Sequence, residues 1–249
     1  MAQPYVGIKG VTSQTEVESI LSSAPDMRHA VMVGILMNED ILAGKPVQHP
    51  KRYPDISRLN EIFIGHPRAL NLVCYQTKAP DSLYDQLCEI RERTGSRLHG
   101  FQLDLPEPPI LVMDRIRQDW PQAKFSLRIN REMFRRSGHR PDVLANAVKE
   151  VSDLIDYAFV DFTNGNGVPC SPDLLRSLLY GLKQAEVPLR LGIGGGLGVY
   201  TLSPLKSLLR ESPDLCLDAD FSLRDEEDRL DMKAVAEFLN KAARLLAAD

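Results

Sequence analysis

The chain is short of cysteine and has no long apolar run. Its four cysteines, Cys74, Cys88, Cys170 and Cys216, show neither CxxC nor CxxxC spacing, which indicates neither a zinc site nor a disulfide framework. No run reaches the length of about 18 apolar residues that a membrane span needs, and the N-terminus lacks the basic and apolar regions of a signal peptide. These absences predict a soluble, cytoplasmic protein with reduced thiols and no membrane partner.

Charge of one sign is not in excess either, and no segment has the composition of a linker. Lys plus Arg number 30 and Asp plus Glu number 34, so the net charge of −4 supplies no general attraction to DNA or RNA and we expect no nucleic-acid partner. Hydrophobic residues at 43% and charged residues at 26% exclude disorder, collagen and a coiled coil. Without a dividing linker, residues 1–249 are predicted to form one domain.

Short apolar runs alternate with amphipathic segments along the whole chain. The runs begin about 30 residues apart, which is the length of one strand, one helix and their connections. Helical periodicity fills the intervals, for example over residues 15–21, 83–90 and 143–148. Eight such units in about 250 residues predict a single closed (β/α)8 TIM barrel of the α/β class. The predicted strands cover residues 5–8, 30–37, 70–75, 98–105, 124–129, 157–162, 189–193 and 215–219.

Two segments between and after the strands have distinct patterns. Residues 38–54 are polar and contain Pro46, Pro50 and Pro54, so they predict a helix-free loop at the mouth of the barrel. Residues 232–248 carry apolar positions every three or four residues, which predicts the helix that closes the barrel.

Polar residues at the C-terminal ends of the strands are the candidate site residues, because TIM barrels carry their chemistry there. Lys9 is a candidate general acid or base, a candidate Schiff-base nucleophile, or one member of a structural ion pair. Asp104 and Asp161 are candidate catalytic carboxylates, and Arg128 is a candidate substrate contact. A lysine among carboxylates occupies the place of a cation, so no metal is expected, and no cofactor either. The strand ends also carry Asn38, Gln76, Asn130, Asp218 and Asp220.

Glycine clusters follow two of the predicted strands. Gly194, Gly195 and Gly196 come after the seventh strand, where barrels hold phosphate on backbone amides, although a plain turn has the same composition. Residues 164–167, Asn-Gly-Asn-Gly, come shortly after Asp161 and predict either a mobile working loop or a simple turn.

Several of these segments together resemble phosphoribosylanthranilate isomerase, a (β/α)8 enzyme of tryptophan biosynthesis. Residues 7–12, Gly-Ile-Lys-Gly-Val-Thr, are similar to the opening motif Lys-Ile-Cys-Gly-Ile-Thr of that family. Residues 102–104, Gln-Leu-Asp, stand where the family has Gln-Leu-His. Residues 159–161 with the loop 165–167 resemble Leu-Leu-Asp and its glycine-rich loop, and residues 194–197 resemble Ala-Gly-Gly-Leu. The resemblance runs through most of the units in the same order.

The resemblance implies an Amadori rearrangement, in which an acid opens the ribose ring and a base removes a proton from C2. Asp161 matches the acid of the family, whereas Lys9 stands where the family has its basic cysteine. Asp220 stands where the family presents a phosphate-binding serine, and two anions repel. Arg52 matches loosely the arginine segment that contacts a carboxylate. These departures imply a changed substrate.

Three functions remain open at this point. The first is a phosphoribosylanthranilate isomerase-like enzyme that acts on a small sugar-like or keto metabolite, phosphorylated or not, by acid/base catalysis with Asp161 and Lys9. The second is a Schiff-base lyase or aldolase in which Lys9 forms the imine and Asp161 or Asp104 moves protons. The third is a catalytically silent paralogue that binds a metabolite or a partner protein. The sequence leaves the oligomeric state undetermined.

Overall fold

Eight parallel strands pair in chain order, and the eighth pairs with the first, so the sheet closes into a barrel. This confirms the predicted (β/α)8 fold. The computed structural model describes residues 2–163 and 170–247, so the predicted glycine loop at 164–167 lies outside the described residues. The strands are β1 (Tyr5–Lys9), β2 (Ala30–Asn38), β3 (Ala69–Gln76), β4 (Gly100–Leu103), β5 (Lys124–Ile129), β6 (Tyr157–Val160), β7 (Arg190–Leu197) and β8 (Cys216–Ala219).

Helices cover the outside of the barrel, and local sequence signals fix where they begin. The helix Pro172–Gln184 is an example. The Ser171 side chain before it accepts a hydrogen bond from the Leu174 backbone N–H at 3.3 Å, and Pro172 occupies the first helical position. None of the described helices has the length and hydropathy that crossing a bilayer requires. Within the described residues the α-helices are α1 (Gln14–Ser23), α2 (Glu39–Leu42), α3 (Leu59–Ile62), α4 (Leu83–Thr94), α5 (Ile110–Asp119), α6 (Arg131–Arg136), α7 (Pro141–Glu150), α8 (Pro172–Gln184), α9 (Lys206–Glu211) and α10 (Met232–Leu246).

Side chains alternate between the two faces of each strand, and this alternation selects the residues that reach the barrel interior. On β1, Val6 and Ile8 pack outward in the large core between sheet and helices, whereas Tyr5 lies in a separate interior cluster. Positions 5, 7 and 9 of β1 point to the same face, so Lys9 lies on the inner face with Tyr5. Because Lys9 is the last residue of β1, its side chain enters the barrel at the mouth. The interior cluster contains Tyr5, Ala30, Met32, Leu70, Leu72, Tyr157 and Cys216.

The prediction of a helix-free segment at 38–54 is wrong at its start. The side chain of Asn38 accepts a hydrogen bond from the Ile41 backbone N–H at 2.9 Å, and this cap starts α2 immediately after β2. Beyond α2 the segment runs without a further α-helix until a 3-10 turn at Pro50–Arg52. One asparagine was therefore enough to begin a helical turn in a polar segment.

The prediction that the glycines follow the seventh strand is also wrong, because β7 continues through them to Leu197. The pairing of β7 with β8 shifts register between Ile193 and Leu197. Gly195 and Gly196 have φ angles of 76° and 68°, a backbone region that residues with a Cβ seldom adopt. The glycines thus form an irregular end of the strand rather than a separate turn.

Candidate active site

A cavity of about 690 Å³ opens at the C-terminal ends of the strands. Its lining brings together residues that lie far apart in the sequence, on the strands and on the connections that follow them. Lys9, Asp104, Arg128 and Asp161 all contribute to this lining. The cavity is where this fold carries chemistry.

Lys9 forms an ion pair with Asp218 at the floor of the cavity. Lys9 Nζ lies 3.6 Å from Asp218 Oδ2, and the two side chains are 12% and 1% exposed. The amide of Gln102 donates a hydrogen bond of 2.6 Å to the same carboxylate oxygen. Lys9 Nζ also lies 5.3 Å from the centre of the Phe159 ring, a favourable place for a cation. Asp218 and Phe159 therefore hold Lys9, and Gln102 in turn holds Asp218.

The surroundings of Lys9 keep its amine protonated. Burial lowers the pKa of the Lys9 amine, but the carboxylates of Asp218, Asp161 and Asp220 outweigh burial, and the pKa is raised above its usual range. Burial raises the pKa of the Asp218 carboxyl, and Lys9 and Gln102 oppose that change. At neutral pH the ammonium form of Lys9 faces the cavity.

Arg128 lies between the two other candidate carboxylates. Its Nη1 contacts Asp104 Oδ2, and its Nη2 lies 3.2 Å from Asp161 Oδ2. The other oxygen of Asp161 accepts hydrogen bonds from the backbone N–H and the hydroxyl of Thr163, at 3.0 and 2.7 Å. Burial raises the pKa of the Asp161 carboxyl, but Arg128, Lys9 and Thr163 together lower it below its usual value. Asp161 is ionised at neutral pH.

Cys74 on β3 adds a thiol to the cavity that the sequence analysis did not select. A Cβ at Gly34 would lie 3.0 Å from Lys9 Cγ and 3.1 Å from Cys74 Sγ, so this glycine makes room for both side chains. Burial raises the pKa of the Cys74 thiol, and Lys9 only partly opposes this, so the sulfur stays protonated. The signal available in the sequence was the alternation along β3, which places Leu72 and Cys74 on one face.

Asp218, Gln102 and Thr163 are further residues of the site to which the sequence analysis gave no role. Asp218 and Gln102 stand at positions that the sequence analysis had named, on β8 and β4. Their pairing across the barrel interior depends on closure of the sheet, which no local pattern reveals. Thr163 could have been found as the first hydroxyl after Asp161, at the spacing of an Asx turn.

The glycine end of β7 lies close to the carboxylate of Asp161. A Cβ at Gly195 would come within 2.2 Å of Asp161 Oδ1, so Asp161 occupies the space above this glycine. Gly195 and Gly196 line the cavity, whereas Gly194 packs against the Phe159 ring. Asp220 also lines the cavity. A phosphate at Gly195 would face the carboxylate of Asp161.

Asp220 and Arg52 each have a partner of opposite charge within the protein. Asp220 Oδ1 accepts hydrogen bonds from Nε and Nη2 of Arg224 at 2.9 and 2.7 Å. Arg52 donates from Nε to both oxygens of Asp228 at 2.8 Å, and its guanidinium lies 5.4 Å from the centre of the Phe221 ring. Arg52 therefore lines the cavity with its charge already balanced.

The described part of the chain contains no group of three or more His, Cys, Asp or Glu side chains that could hold a metal ion. Most of the cations of the site instead pair with a carboxylate, as Lys9 does with Asp218 and Arg52 with Asp228.

No protein-family model matches this sequence, and no curated protein does. Solved structures do match. Phosphoribosyl anthranilate isomerase from Thermus thermophilus is 14% identical over 97% of this chain and 99% of its own, with a TM-score of 0.65. The likeness is one of fold. It confirms, at that level, the resemblance to phosphoribosylanthranilate isomerase seen in the sequence.

Two other structures show the same likeness. A phosphoribosyl anthranilate isomerase in complex with reduced 1-(o-carboxyphenylamino)-1-deoxyribulose 5-phosphate is 16% identical, covering 96% of this chain and 98% of its own, with a TM-score of 0.59. A mutant tryptophan synthase alpha-subunit from Pyrococcus furiosus is 14% identical, covering 99% of each chain, with a TM-score of 0.57. The barrel architecture is thus shared with two kinds of protein.

Proposed function

We propose that this protein is an isomerase-like enzyme that moves protons on a small sugar-like or keto metabolite. The observation that carries the proposal is the arrangement of Lys9 and Asp161, two nearly buried groups of opposite charge that face one cavity. Each is held by its own counter-ion, Lys9 by Asp218 and Asp161 by Arg128. Acid/base catalysis needs such a pair in fixed positions.

The proposed mechanism uses Asp161 as the base and Lys9 as the acid. The Asp161 carboxylate removes a proton from the carbon next to a carbonyl or imine, while the Lys9 ammonium donates a proton to the carbonyl oxygen or imine nitrogen. In the enediol or enaminol that results, Asp161 gives its proton to the former carbonyl or imine carbon. The hydroxyl on the carbon that was deprotonated first returns a proton to Lys9 and becomes the new carbonyl. Protons and electrons balance, and no other reagent is required.

These roles are the reverse of those that the resemblance implies, which make Asp161 the acid and position 9 the base. The exchange follows from the protonation states: the pKa of the Lys9 amine is raised, and the pKa of the Asp161 carboxyl is lowered. A group acts as a base only from its deprotonated form. In this proposal Asp104 and Asp218 are positioning residues that hold Arg128 and Lys9.

The same protonation state argues against a lyase that works through an imine on Lys9. A lysine attacks a carbonyl only as a neutral amine, and the carboxylates around Lys9 stabilise the ammonium form. A catalytically silent binding protein would show no reaction that depends on Lys9 or Asp161. The proposed enzyme should lose its reaction when either charged group is removed.

Deuterium exchange tests the proposal without knowledge of the natural substrate. The protein is incubated in D2O with ribose 5-phosphate, ribulose 5-phosphate, ribose or ribulose, and proton NMR follows loss of the C–H signal next to the carbonyl. We expect exchange with wild type, and a reduction of about 100-fold or more in Asp161→Asn and in Lys9→Met. Asp142→Asn, an exposed carboxylate on α7, is the matched control and should keep the wild-type rate.

Three results would contradict the proposal. The first is an absence of exchange with all four sugars, and the second is exchange that Asp161→Asn leaves unchanged. The third is a sugar trapped on Lys9 by borohydride, detected as a mass increase on the peptide that carries Lys9, which would support the imine mechanism instead.

A further inference from the structure

Arg131 differs from the other cations of the cavity in its partners. Among the described residues, the Lys and Arg side chains that line the cavity are Lys9, Arg52, Arg128, Arg131 and Arg135. Four of these have carboxylates: Lys9 pairs with Asp218, Arg52 with Asp228, Arg128 with Asp104 and Asp161, and Arg135 with Glu132. Within residues 2–163 and 170–247, Arg131 makes one polar contact, from its Nε to the backbone carbonyl of Phe162 at 3.3 Å, and no carboxylate of these residues lies within ion-pair distance of it.

The undescribed stretch that follows Thr163 in the sequence carries no negative charge. Positions 164–169, which follow β6, read Asn-Gly-Asn-Gly-Val-Pro and contain no acidic residue. The charge of Arg131 is therefore available to a ligand in the cavity.

The position of Arg131 suits a substrate contact. It is the second residue after β5 and the first of α6. The side chain of the preceding Asn130 is held twice: its Oδ1 accepts from the Met133 N–H at 3.0 Å, and its Nδ2 donates to the Leu105 carbonyl at 3.0 Å. The carbonyl that accepts from Arg131 belongs to Phe162, the residue after Asp161. With Nε fixed there, the two terminal nitrogens of the guanidinium remain as donors beside the proposed base.

We propose that Arg131 binds an oxyanion of the substrate, a phosphate monoester or a carboxylate, at the β5–β6 side of the cavity. A guanidinium donates two parallel hydrogen bonds to either group. The glycine end of β7 is the less favourable place, because the Asp161 carboxylate occupies the space above Gly195. The proposal rests on the proposed function, since it places the reacting carbons over Lys9 and Asp161.

The opposite wall of the cavity suits the uncharged end of such a molecule. Leu36, Met37, Tyr53 and Phe221 contribute apolar and aromatic surface there. A substrate with one oxyanion and one less polar end would therefore lie across the mouth, with its oxyanion at Arg131.

Calorimetric titration with ribose 5-phosphate, ribonate and neutral ribose tests this site. We expect wild type to bind one or both anionic sugars and to bind ribose more weakly. Arg131→Met should weaken binding of the anion by about tenfold or more, and Arg131→Lys should recover part of the loss. Arg135→Met is the matched control: it removes an arginine that also lines the cavity but is paired with Glu132, and binding should stay within about twofold. The two anions distinguish a phosphate from a carboxylate.

The proposal is overturned if neither anionic sugar binds wild type, if Arg131→Met binds as wild type does, or if Arg135→Met causes the same loss. Binding is measured without turnover, whereas the proposed function is read by deuterium exchange in Asp161→Asn. Each proposal can therefore fail while the other stands.

Discussion

The absence of a side chain at two glycines leaves space for two carboxylates of the site. A Cβ at Gly7 would lie 2.4 Å from Asp218 Oδ1, and a Cβ at Gly195 would lie 2.2 Å from Asp161 Oδ1. Both distances are shorter than any ordinary contact, so the carboxylates occupy positions that only glycine leaves free. At the residue scale, the site depends on these absences as much as on its charged groups.

Gly195→Ala tests this dependence. The added methyl group collides with Asp161, and the alanine backbone must keep the positive φ of Gly195. We therefore expect a loss of about 2 kcal/mol or more in the free energy of unfolding, together with loss of exchange activity. Gly44→Ala is the control, because Gly44 has a similar φ of 68° but no atom within 4 Å of its Cβ position. Urea unfolding measures both variants. Equal losses in the two would show that backbone strain alone acts and that Asp161 is not displaced.

The elements of the barrel differ in how far the sequence predicts them. All eight strands were predicted because each carries an apolar run, and the run is what a barrel strand buries on both faces. The end of β7 was missed because Gly194, Gly195 and Gly196 carry no side chains and so no pattern. The helix α2 was missed because its start depends on one hydrogen bond from Ile41 to Asn38 rather than on periodicity.

Asn130→Ala tests how an element positions a site residue. Asn130 caps α6 and joins it to the end of β4 through Leu105, so its loss should lower the free energy of unfolding by about 1 to 2 kcal/mol and weaken anion binding at Arg131. Asn240→Ala on the exposed face of α10 is the control and should be nearly neutral. Urea unfolding and the calorimetric titration are the measurements. A stable Asn130→Ala protein with wild-type binding would contradict this role of the cap.

At the scale of the whole molecule, ion pairs join two connections at the mouth of the barrel. Arg52 and Asp228 are 176 residues apart in the sequence, and His49 Nδ1 lies 2.9 Å from the same carboxylate. Lys51 Nζ lies 3.2 Å from Glu227 nearby. The sequence supplied Arg52 as a candidate for substrate binding, but its pairing depends on which connections the closed barrel brings together. Pairings of this kind were beyond prediction for the same physical reason as that of Lys9 with Asp218.

Asp228→Asn should therefore change how stability depends on pH. Burial raises the pKa of the Asp228 carboxyl, but Arg52 and His49 lower it below its usual value. A carboxyl with a lowered pKa stabilises the fold above its ordinary pKa of about 3.9, and this stabilisation is lost as the pH falls through the lower, folded value. We expect Asp228→Asn to be less stable than wild type by about 1 kcal/mol at neutral pH, with the difference shrinking in acid. Urea unfolding across pH tests this, and a difference that grows in acid would contradict it.

Measuring the protonation states of Lys9 and Asp161 in the free protein tests most directly whether Lys9 is the acid and Asp161 the base. NMR of protein with 15N-lysine and 13C-aspartate reads both groups in one pH titration, and Lys9→Met and Asp161→Asn assign the two signals. We expect a charged Lys9 ammonium and a charged Asp161 carboxylate at neutral pH, with Asp161 titrating below the ordinary value of about 3.9. A neutral Asp161 carboxyl or a neutral Lys9 amine at neutral pH would contradict the assignment of Asp161 as the base and Lys9 as the acid.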